Sequence, residues 1–293
     1  MRIVCDITEY KSESPLAVAI GNFDGVHSGH RAVICAAVNS NYTTAVFTFD
    51  TPTKNTNLVS TISTKRRIIE SLGVDVYICP DFEAIKNYTP DEFVRLLQKM
   101  NVKSVFCGFN FKFGKGASAD CNTLKSLGDK CGIDVTVTAP VTSDGTVISS
   151  SEIRKLLQNG EIDTANKFLT RPFEFDFKVT HGAHFGTDFM NTPTINQPWD
   201  SNITLPAFGV YASKTVIDGK VCKSITNIGI APTVEYNEVR AETHIFDCNS
   251  MLYGETPTVM LCSFLRPERR FSSVDELKQQ ILADSQTVQN MDY

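Results

Sequence analysis

Two histidines three residues apart, His27 and His30, carry the clearest chemistry in the chain, and they stand in the glycine-rich segment Gly21–His30. An apolar run of strand length precedes this segment, and a helical pattern of small residues follows it. Residues three apart share a face on the first turn of a helix, so both imidazoles can hold one anion. The helix start adds unpaired N–H groups and a positive dipole end. Gly29 has no Cβ and allows a nucleotide to approach the backbone. The segment therefore predicts a site for ATP phosphates.

The composition of the chain limits the class of protein to which this segment belongs. The chain has 293 residues, 42% hydrophobic and 21% charged, and a formal net charge of −5. Such a chain is long enough for two domains, and its acidity argues against a nucleic-acid binder with a broad basic surface. No apolar stretch approaches the roughly 20 residues that span a bilayer, and Asp6 comes too early for a signal peptide. Nine scattered cysteines without a C-x-x-C pair indicate reduced thiols. We expect a cytoplasmic protein that acts on small molecules, without a nucleic-acid or membrane partner.

The first half of the chain alternates strand-like and helical patterns at intervals of roughly thirty residues, the length of a βαβ unit. Apolar strand-like runs begin near Leu16, Thr44, Val74, Ser104 and Asp134. Helical patterns cover Arg31–Ala37, Lys65–Leu72, Pro90–Met100 and Asn122–Lys130. Thr89, Pro90 and Glu92 form a capping-box signature at the third helix. This alternation predicts a parallel sheet with helices on both faces, and ligands bind beyond the carboxyl ends of such strands.

The second half is rich in short β patterns, at Phe173–Val179, Gly209–Ile217, Lys220–Thr226, Ala241–Phe246 and Thr258–Phe264. Asp218-Gly219 is a tight-hairpin signal between two of them. A helix follows at Ser273–Leu282, capped by Ser272 or Ser273. These patterns predict a small antiparallel barrel with a terminal helix.

Ordered sequence blocks in both halves resemble the bifunctional bacterial riboflavin kinase/FAD synthetase family over nearly the whole chain. The first half carries Gly21–His30, Gly108–Gly114 and Ile148–Arg154. The second half carries Pro193–Asn196, Phe208–Tyr211, Asn227–Gly229, Ala231–Thr233, Glu242–Asp247 and Leu265–Glu268. The resemblance implies an α/β fold class: a Rossmann-like nucleotidyltransferase domain with a parallel sheet over 1–170, and an antiparallel β-barrel kinase domain with a terminal helix over 171–293.

The resemblance implies adenylyl transfer in the first domain: FMN attacks the α-phosphorus of ATP, FAD forms and pyrophosphate leaves. His27 and His30 would hold the triphosphate and stabilise its charge, which favours their protonated forms. The guanidinium of Arg154 would bind a phosphate, next to the N–H and hydroxyl donors at the start of the same helix. The residues implied to bind nucleotide or flavin in this domain are Gly21, Asn22, Phe23, Asp24, Gly29, Asn110, Ser149 and Ser150.

In the second domain the resemblance implies phosphorylation of riboflavin by Mg-ATP. Glu242 matches the family's base, which accepts the proton of the attacking ribityl hydroxyl. Thr194 and Asn196 match the pair of neutral oxygen donors that coordinates Mg²⁺. Gly186 belongs to the family's kinase loop.

Two segments depart from the family pattern. The motif after Phe49 usually has a histidine between two prolines, whereas this chain has Asp50-Thr51-Pro52-Thr53. The loop Gly186–Asn196 lacks the family's arginine and second glycine and has one extra residue before Pro193. One alternative is therefore an FMN adenylyltransferase with a weak or inactive, flavin-binding kinase domain. Another is a non-catalytic flavin-binding protein.

Each motif taken alone also allows an interpretation without a catalytic or binding role. The histidines could be a surface pair, and Ser149–Ser151 could be only a helix cap. Asp24 could brace its own turn. Glu242 could be an ordinary carboxylate on a strand. His181 and His184 have the spacing of zinc ligands, although no cysteine pair accompanies them. For the assembly we expect a monomer or a weak homo-oligomer.

Overall fold

The computed structural model describes residues 1–51, 56–181, 194–232, 237–248 and 252–292. The chain divides into two compact units, which are described here one at a time. The first unit comprises Met1–Thr56 and Ile62–Ser150, and the second comprises Asn57–Thr61 and Ser151–Tyr293. The sequence-based boundary near residue 170 stays a prediction.

The first unit alternates strands and helices. Its strands are β1 (Arg2–Val4), β2 (Leu16–Ile20), β3 (Thr43–Phe47), β4 (Val76–Ile78), β5 (Val102–Gly108), β6 (Lys112–Phe113), β7 (Ala119–Asp120), β8 (Asp134–Thr138), β9 (Thr142–Ser143) and β10 (Thr146–Val147). Its helices are α1 (Ser28–Val38), α2 (Ile62–Ser71), α3 (Phe82–Ile85), α4 (Pro90–Lys99) and α5 (Cys121–Cys131). A further helix, α6 (Ser150–Gln158), begins at Ser150, the last residue of the first unit.

Six of these strands form a parallel sheet in the order β1-β4-β3-β2-β5-β8, as the alternating pattern predicts. Every residue of β2 is buried, because the strand has apolar neighbours on both faces. Leu16, Val18 and Ile20 enter one core cluster and Ala19 enters another, so the sheet has a core on each side. The strand order reverses between β2 and β5, which defines a topological switch point.

The capping chemistry also agrees with the sequence. Thr89 accepts a hydrogen bond from the backbone N–H of Glu92, and the Glu92 carboxylate accepts one from the N–H of Thr89. This reciprocal pair fixes the start of α4 beside the first core.

The second unit contains the remaining part of α6 and mostly antiparallel strands. Its further helices are α7 (Ile162–Leu169) and α8 (Val274–Asn290). Its strands are β11 (Phe173–Phe175), β12 (Thr194–Pro198), β13 (Gly209–Ile217), β14 (Lys220–Pro232), β15 (Asn237–Ile245) and β16 (Thr258–Pro267). The strands form one six-stranded sheet in the order β11-β16-β13-β14-β15-β12.

The two edges of this antiparallel sheet are joined by the segment that follows β11. The N–H of Thr180 donates to the carbonyl of Asn196 on β12 at 2.8 Å, in an antiparallel bridge. Five residues after β11 pairs with β16, the chain therefore lies beside the opposite edge. The sheet curves as a half-barrel, in agreement with the predicted antiparallel barrel.

A chain of hydroxyl groups crosses the buried face of this sheet. It joins β13, β14 and β15 through hydrogen bonds of 2.8–2.9 Å between the fully buried side chains of Thr215, Ser224, Ser213, Thr226 and Thr243. Each bond satisfies a group that would otherwise be costly to bury.

The Asp218-Gly219 hairpin is confirmed: both residues have positive φ, as a tight turn between β13 and β14 requires. The terminal helix is longer than the predicted Ser273–Leu282 segment. It extends to Asn290 because the buried carboxylate of Asp284 accepts two hydrogen bonds from Arg266, at 2.9 and 2.7 Å, so a polar stretch packs on the sheet.

Two sequence expectations concern the chain as a whole. All nine cysteines are free thiols in the structure. Within the part of the chain that is described, no helix has both the length and the apolar character needed to cross a membrane.

Candidate active sites

The predicted phosphate segment lies at the switch point of the parallel sheet. Ile20 at the end of β2 is in register with Cys107 of β5, so Gly21 and Gly108 leave the same edge of the sheet side by side. Because ligands of open α/β sheets bind at this position, the Gly21–His30 segment and the Gly108–Gly114 loop are placed to share one ligand.

The backbone after β2 is held by hydrogen bonds from two neighbouring segments. Thr48, directly after β3, donates its hydroxyl proton to the carbonyl of Asn22 at 2.9 Å. Ser150, the first residue of α6, donates its hydroxyl proton to the carbonyl of Asp24 at 2.9 Å. Phe23 and Val26 have positive φ, 49° and 42°, which marks a tightly wound turn. Ser150, which the resemblance implies as a binding residue, therefore contacts the Gly21–His30 segment directly.

The two histidines form a stacked pair at the start of α1. His27 is the N-cap, and its Nδ1 accepts a long hydrogen bond of 3.4 Å from the backbone N–H of His30. The ring centroids lie 3.6 Å apart with an angle of 22° between the planes. The His30 ring also meets the edge of the buried Phe23 ring at 5.4 Å. Phe23 therefore supports His30 from the core.

Gly29 makes room for the His27 ring. A Cβ at residue 29 would lie 3.1 Å from Cε1 and 3.2 Å from Nδ1 of His27. The sequence predicts that Gly29 lets a nucleotide approach the backbone. In the structure, the space beside its Cα is filled by the imidazole that caps the helix.

Two polar atoms in the first turn of α1 are buried without a hydrogen-bond partner among the described residues: Ser28 Oγ and His30 Nδ1. Burial lowers the pKa of His30 well below its ordinary value of 6.5, and positive charge on His27 and Lys65 lowers it further. His30 is therefore neutral at pH 7 in the free protein. An anion would satisfy both atoms and favour protonation.

Lys65 is a buried cation close to this pair that sequence reasoning missed. It lies on α2 and is only 6% exposed, and its Nζ donates to Thr48 Oγ1 and to the carbonyl of Phe49, both at 2.8 Å. Burial lowers the pKa of Lys65 to about 8, against the opposing effect of Asp50 and Asp24. Lys65 is therefore a buried side chain that keeps a positive charge at pH 7 beside a neutral His30.

The departure after Phe49 builds a polar cluster. Asp50 accepts hydrogen bonds from Tyr77 Oη at 2.7 Å and from the guanidinium of Arg66, with which it forms an ion pair. Burial raises the pKa of Tyr77, and the hydrogen bond to Asp50 raises it further. The rest of the departing motif, from residue 52 to 55, lies outside the described residues.

The other predicted residues of the adenylyl-transfer site are placed as follows. Asn110 is exposed in the turn after β5, with Oδ1 3.5 Å from where a Cβ on Gly108 would lie. Ser149 directly precedes α6, so the predicted helix start is confirmed. Arg154, on α6, belongs to the second unit, where its Nε donates to the carbonyl of Asn57 at 2.6 Å.

The predicted kinase residues lie on one face of the antiparallel sheet. Residues directly opposite in antiparallel strands share a face. Asn196 of β12 and Asn227 of β14 both pair with Glu242 of β15, one from each side. Thr194, two residues before Asn196, pairs with His244. The structure thus brings Thr194, Asn196 and Glu242 together, as the resemblance implies.

A second carboxylate, that of Glu268, accompanies Glu242. Asn227 donates to Glu268 Oε1 at 3.3 Å. Gly229 leaves space for this carboxylate, since a Cβ there would lie 1.9 Å from Glu268 Oε1. Burial raises the pKa of Glu242; the charge of Arg240 acts against this shift and that of Glu268 reinforces it. Asn227 and Glu268 stand in blocks that carried the resemblance, but no role was predicted for them.

Two sequence hypotheses fall partly on undescribed residues. Gly186 and the altered loop before Thr194 lie outside the described residues. So does His184, the second residue of the zinc alternative. Within the described ranges, no group of three or more His, Cys, Asp and Glu side chains is arranged to hold a metal ion.

The chain thus combines a parallel-sheet unit, whose switch point carries the predicted phosphate segment, with an antiparallel unit in which Glu242 pairs with two asparagines. This combination agrees with the class that the sequence predicts, a two-part transferase that uses nucleotides. The FAD synthetase family model matches residues 9–152, and the riboflavin kinase family model matches residues 169–291. The bifunctional riboflavin kinase/FMN adenylyltransferase of Escherichia coli (strain K12) is 32% identical over 92% of this chain and 90% of its own length. The Bacillus subtilis (strain 168) enzyme of that name is 31% identical over 94% and 92%. The chain belongs to the bifunctional riboflavin kinase/FMN adenylyltransferase family.

The whole chain also has a counterpart among solved structures. The crystal structure of a macrolide-efflux protein from Streptococcus pneumoniae is similar with a TM-score of 0.88 and 26% sequence identity, covering 99% of both chains. The structural similarity therefore extends over both halves of the chain.

Proposed function

We propose that the two activities of this chain, riboflavin kinase and FMN adenylyltransferase, are carried by two separate sets of side chains. His27, His30 and Lys65 serve adenylyl transfer at the switch point of the parallel sheet. Glu242, with Thr194 and Asn196, serves the kinase reaction on the antiparallel sheet. The observation that carries the first assignment is the pair of unsatisfied buried atoms, Ser28 Oγ and His30 Nδ1, at a helix start. The substrates are ATP with riboflavin, and ATP with FMN.

In adenylyl transfer an FMN phosphate oxygen forms a bond to the α-phosphorus of ATP while the bond to the leaving pyrophosphate breaks. The nucleophile is already anionic, so the protein has to position the reactants and stabilise charge. Lys65 supplies a fixed positive charge, and the histidines gain protonation as the polyphosphate arrives. Ser149, Ser150 and Arg154 stay predictions from the resemblance as contacts for a second phosphate, and Asn110 as a contact on the flavin side.

In the kinase reaction a ribityl hydroxyl of riboflavin attacks the γ-phosphorus of ATP, and ADP leaves. Glu242 accepts the hydroxyl proton, and its raised pKa makes it a stronger base than an exposed carboxylate. The neutral oxygens of Thr194 and Asn196, on the same face as Glu242, suit Mg²⁺ that is held mainly by phosphates and water. Bound Mg²⁺ would neutralise phosphate charge.

The alternatives from the sequence receive less support. A riboflavin kinase match over 169–291 and the pairing of Asn196 with Glu242 favour a working kinase over a flavin-binding remnant. Free thiols fit the expected cytoplasm. Because all the proposed residues come from one chain, a monomer or weak homo-oligomer is sufficient.

The assignment is tested by two variants with opposite effects. Purified His27→Ala and Glu242→Gln are assayed for FAD formed from FMN and for FMN formed from riboflavin. His27→Ala is expected to reduce adenylyl transfer by about 10²–10³-fold and to leave the kinase unchanged. Glu242→Gln is expected to do the reverse, because the amide cannot accept the proton. Equal losses of both activities in either variant would contradict separate sites.

A further inference from the structure

Arg240 of β15 is a buried cation with an unused hydrogen-bond donor. Its side chain is 7% exposed, and one terminal nitrogen donates to Glu238 Oε2 at 2.9 Å. Its Nε is buried and has no partner among the described residues. A guanidinium is charged at any physiological pH, so an unpaired buried N–H on it is costly unless a ligand completes it.

The strand pairing places this cation beside the kinase residues. Arg240 and Glu242 are two apart on one strand, so they share a face with Cα atoms about 6.8 Å apart. The two groups interact electrostatically, since the charge on Arg240 opposes the rise in the pKa of Glu242. The cross-strand partners of Arg240 are Pro198 and Gly229, neither of which offers a side-chain acceptor.

Ion pairing with Glu238 alone does not account for this arrangement. The Glu238 side chain is 46% exposed, and it engages only a terminal nitrogen. A purely structural pair at the surface needs no buried Nε. A tetrahedral phosphate, in contrast, can accept from the unpartnered Nε and from the second N–H of the terminal nitrogen that also donates to Glu238.

The position of Arg240 beside the proposed base indicates which ligand would complete its hydrogen bonds. Transfer of the γ-phosphoryl group places growing charge close to the base that accepts the hydroxyl proton. We propose that Arg240 binds a phosphate of ATP in the kinase reaction. The inference rests on the proposed kinase function.

The test measures kinase kinetics in Arg240→Met and Arg240→Lys. Arg240→Met keeps the apolar stem and is expected to lower kcat/KM for ATP about 10–100-fold, while the KM for riboflavin stays within about twofold. Arg240→Lys keeps the charge without the fork and is expected to lie between Met and wild type. Formation of FAD from FMN, measured in the same samples, shows that the first unit of each variant is active, and the KM for riboflavin shows whether the second unit is folded.

Two control variants separate phosphate binding from a structural role. Arg269→Met removes an exposed arginine of the same unit, 48% exposed, and is expected to leave kinase kinetics unchanged. Glu238→Gln removes the partner of Arg240 and is expected to leave the KM for ATP within about twofold. A loss in Glu238→Gln equal to that in Arg240→Met would show that only the ion pair matters and would overturn the inference.

The remaining outcomes distinguish this inference from the proposed function. If wild-type protein forms no FMN from riboflavin, the kinase assignment itself fails. If wild type forms FMN and Arg240→Met has an unchanged kcat/KM for ATP, the inference about Arg240 alone is wrong. If Arg240→Met loses riboflavin binding, followed by flavin fluorescence, to the same extent as ATP use, Arg240 has a structural role and the inference is again wrong.

Discussion

Replacing Lys65 by methionine tests whether its buried charge is kept for function. Burial lowers the pKa of Lys65 from 10.5 to about 8, which corresponds to a cost of about 3 kcal/mol for charged lysine at pH 7. Its two hydrogen bonds, to Thr48 Oγ1 and the carbonyl of Phe49, return roughly 1 kcal/mol each. Methionine has a similar length, and it removes both the cost of the buried charge and the two hydrogen bonds. The free energy of unfolding of Lys65→Met should therefore equal or slightly exceed that of wild type at pH 7.

Activity should respond in the opposite direction. Loss of one preorganised cation beside the phosphate segment is expected to reduce FAD formation from FMN by about 10²-fold, with the kinase unchanged. In wild type, kcat/KM for ATP in this reaction should fall as the pH rises through about 8, since Lys65 of the free protein then loses its proton. Lys65→Met should lack this decline.

The pH dependence of stability provides a separate check with a defined sign. The folded-state pKa of Lys65, about 8, lies below its ordinary value of 10.5. Between these two values the unfolded chain binds more protons, so the contribution of Lys65 to the free energy of unfolding rises with pH. Urea unfolding at pH 7 and pH 10 would show this rise in wild type and its absence in Lys65→Met. A variant that keeps adenylyl transfer within twofold, or that is several kcal/mol less stable, would refute the reasoning.

Two further predictions concern packing around each site. Gly29→Ala should lower FAD formation about tenfold and spare the kinase, because the added Cβ, 3.1 Å from the His27 ring, displaces that imidazole; the two flavin assays check this, and an unaltered FAD rate would show that the ring position is not critical. Thr226→Val should lower the free energy of unfolding of the second unit by about 1–3 kcal/mol, because Ser213 and Thr243 lose a buried partner. Urea unfolding measures the loss, and stability equal to wild type would mean that the remaining hydroxyls rearrange.

The features that depend on local pattern could be predicted from the sequence. The alternation of apolar runs and helices specified the parallel sheet, and Thr89 and Glu92 specified a cap that the structure confirms. The place of both histidines at the start of α1 also follows from the local pattern, although the helix begins at Ser28 rather than Arg31 and the stacking of the rings was not predicted. Local hydrogen bonds and burial decide these features, so they are visible in short windows.

The features that depend on long-range contacts could not be predicted. Lys65 sits in an amphipathic helix, where a lysine normally faces water, and only the contact with the segment after β3 shows that it is buried. Arg240 has an ordinary alternating position on a strand, and its burial depends on tertiary packing. The local pattern predicts that the terminal helix ends at Leu282, whereas the structure extends it to Asn290, where Asp284 is paired with Arg266, 18 residues away.

The most direct test of the account is to incubate wild-type protein with Mg-ATP and riboflavin, and separately with Mg-ATP and FMN, and to separate the flavins by chromatography. We expect FMN followed by FAD in the first reaction, and FAD with an equal amount of pyrophosphate in the second. FAD from FMN without any FMN from riboflavin would contradict the two-activity account and leave an adenylyltransferase alone.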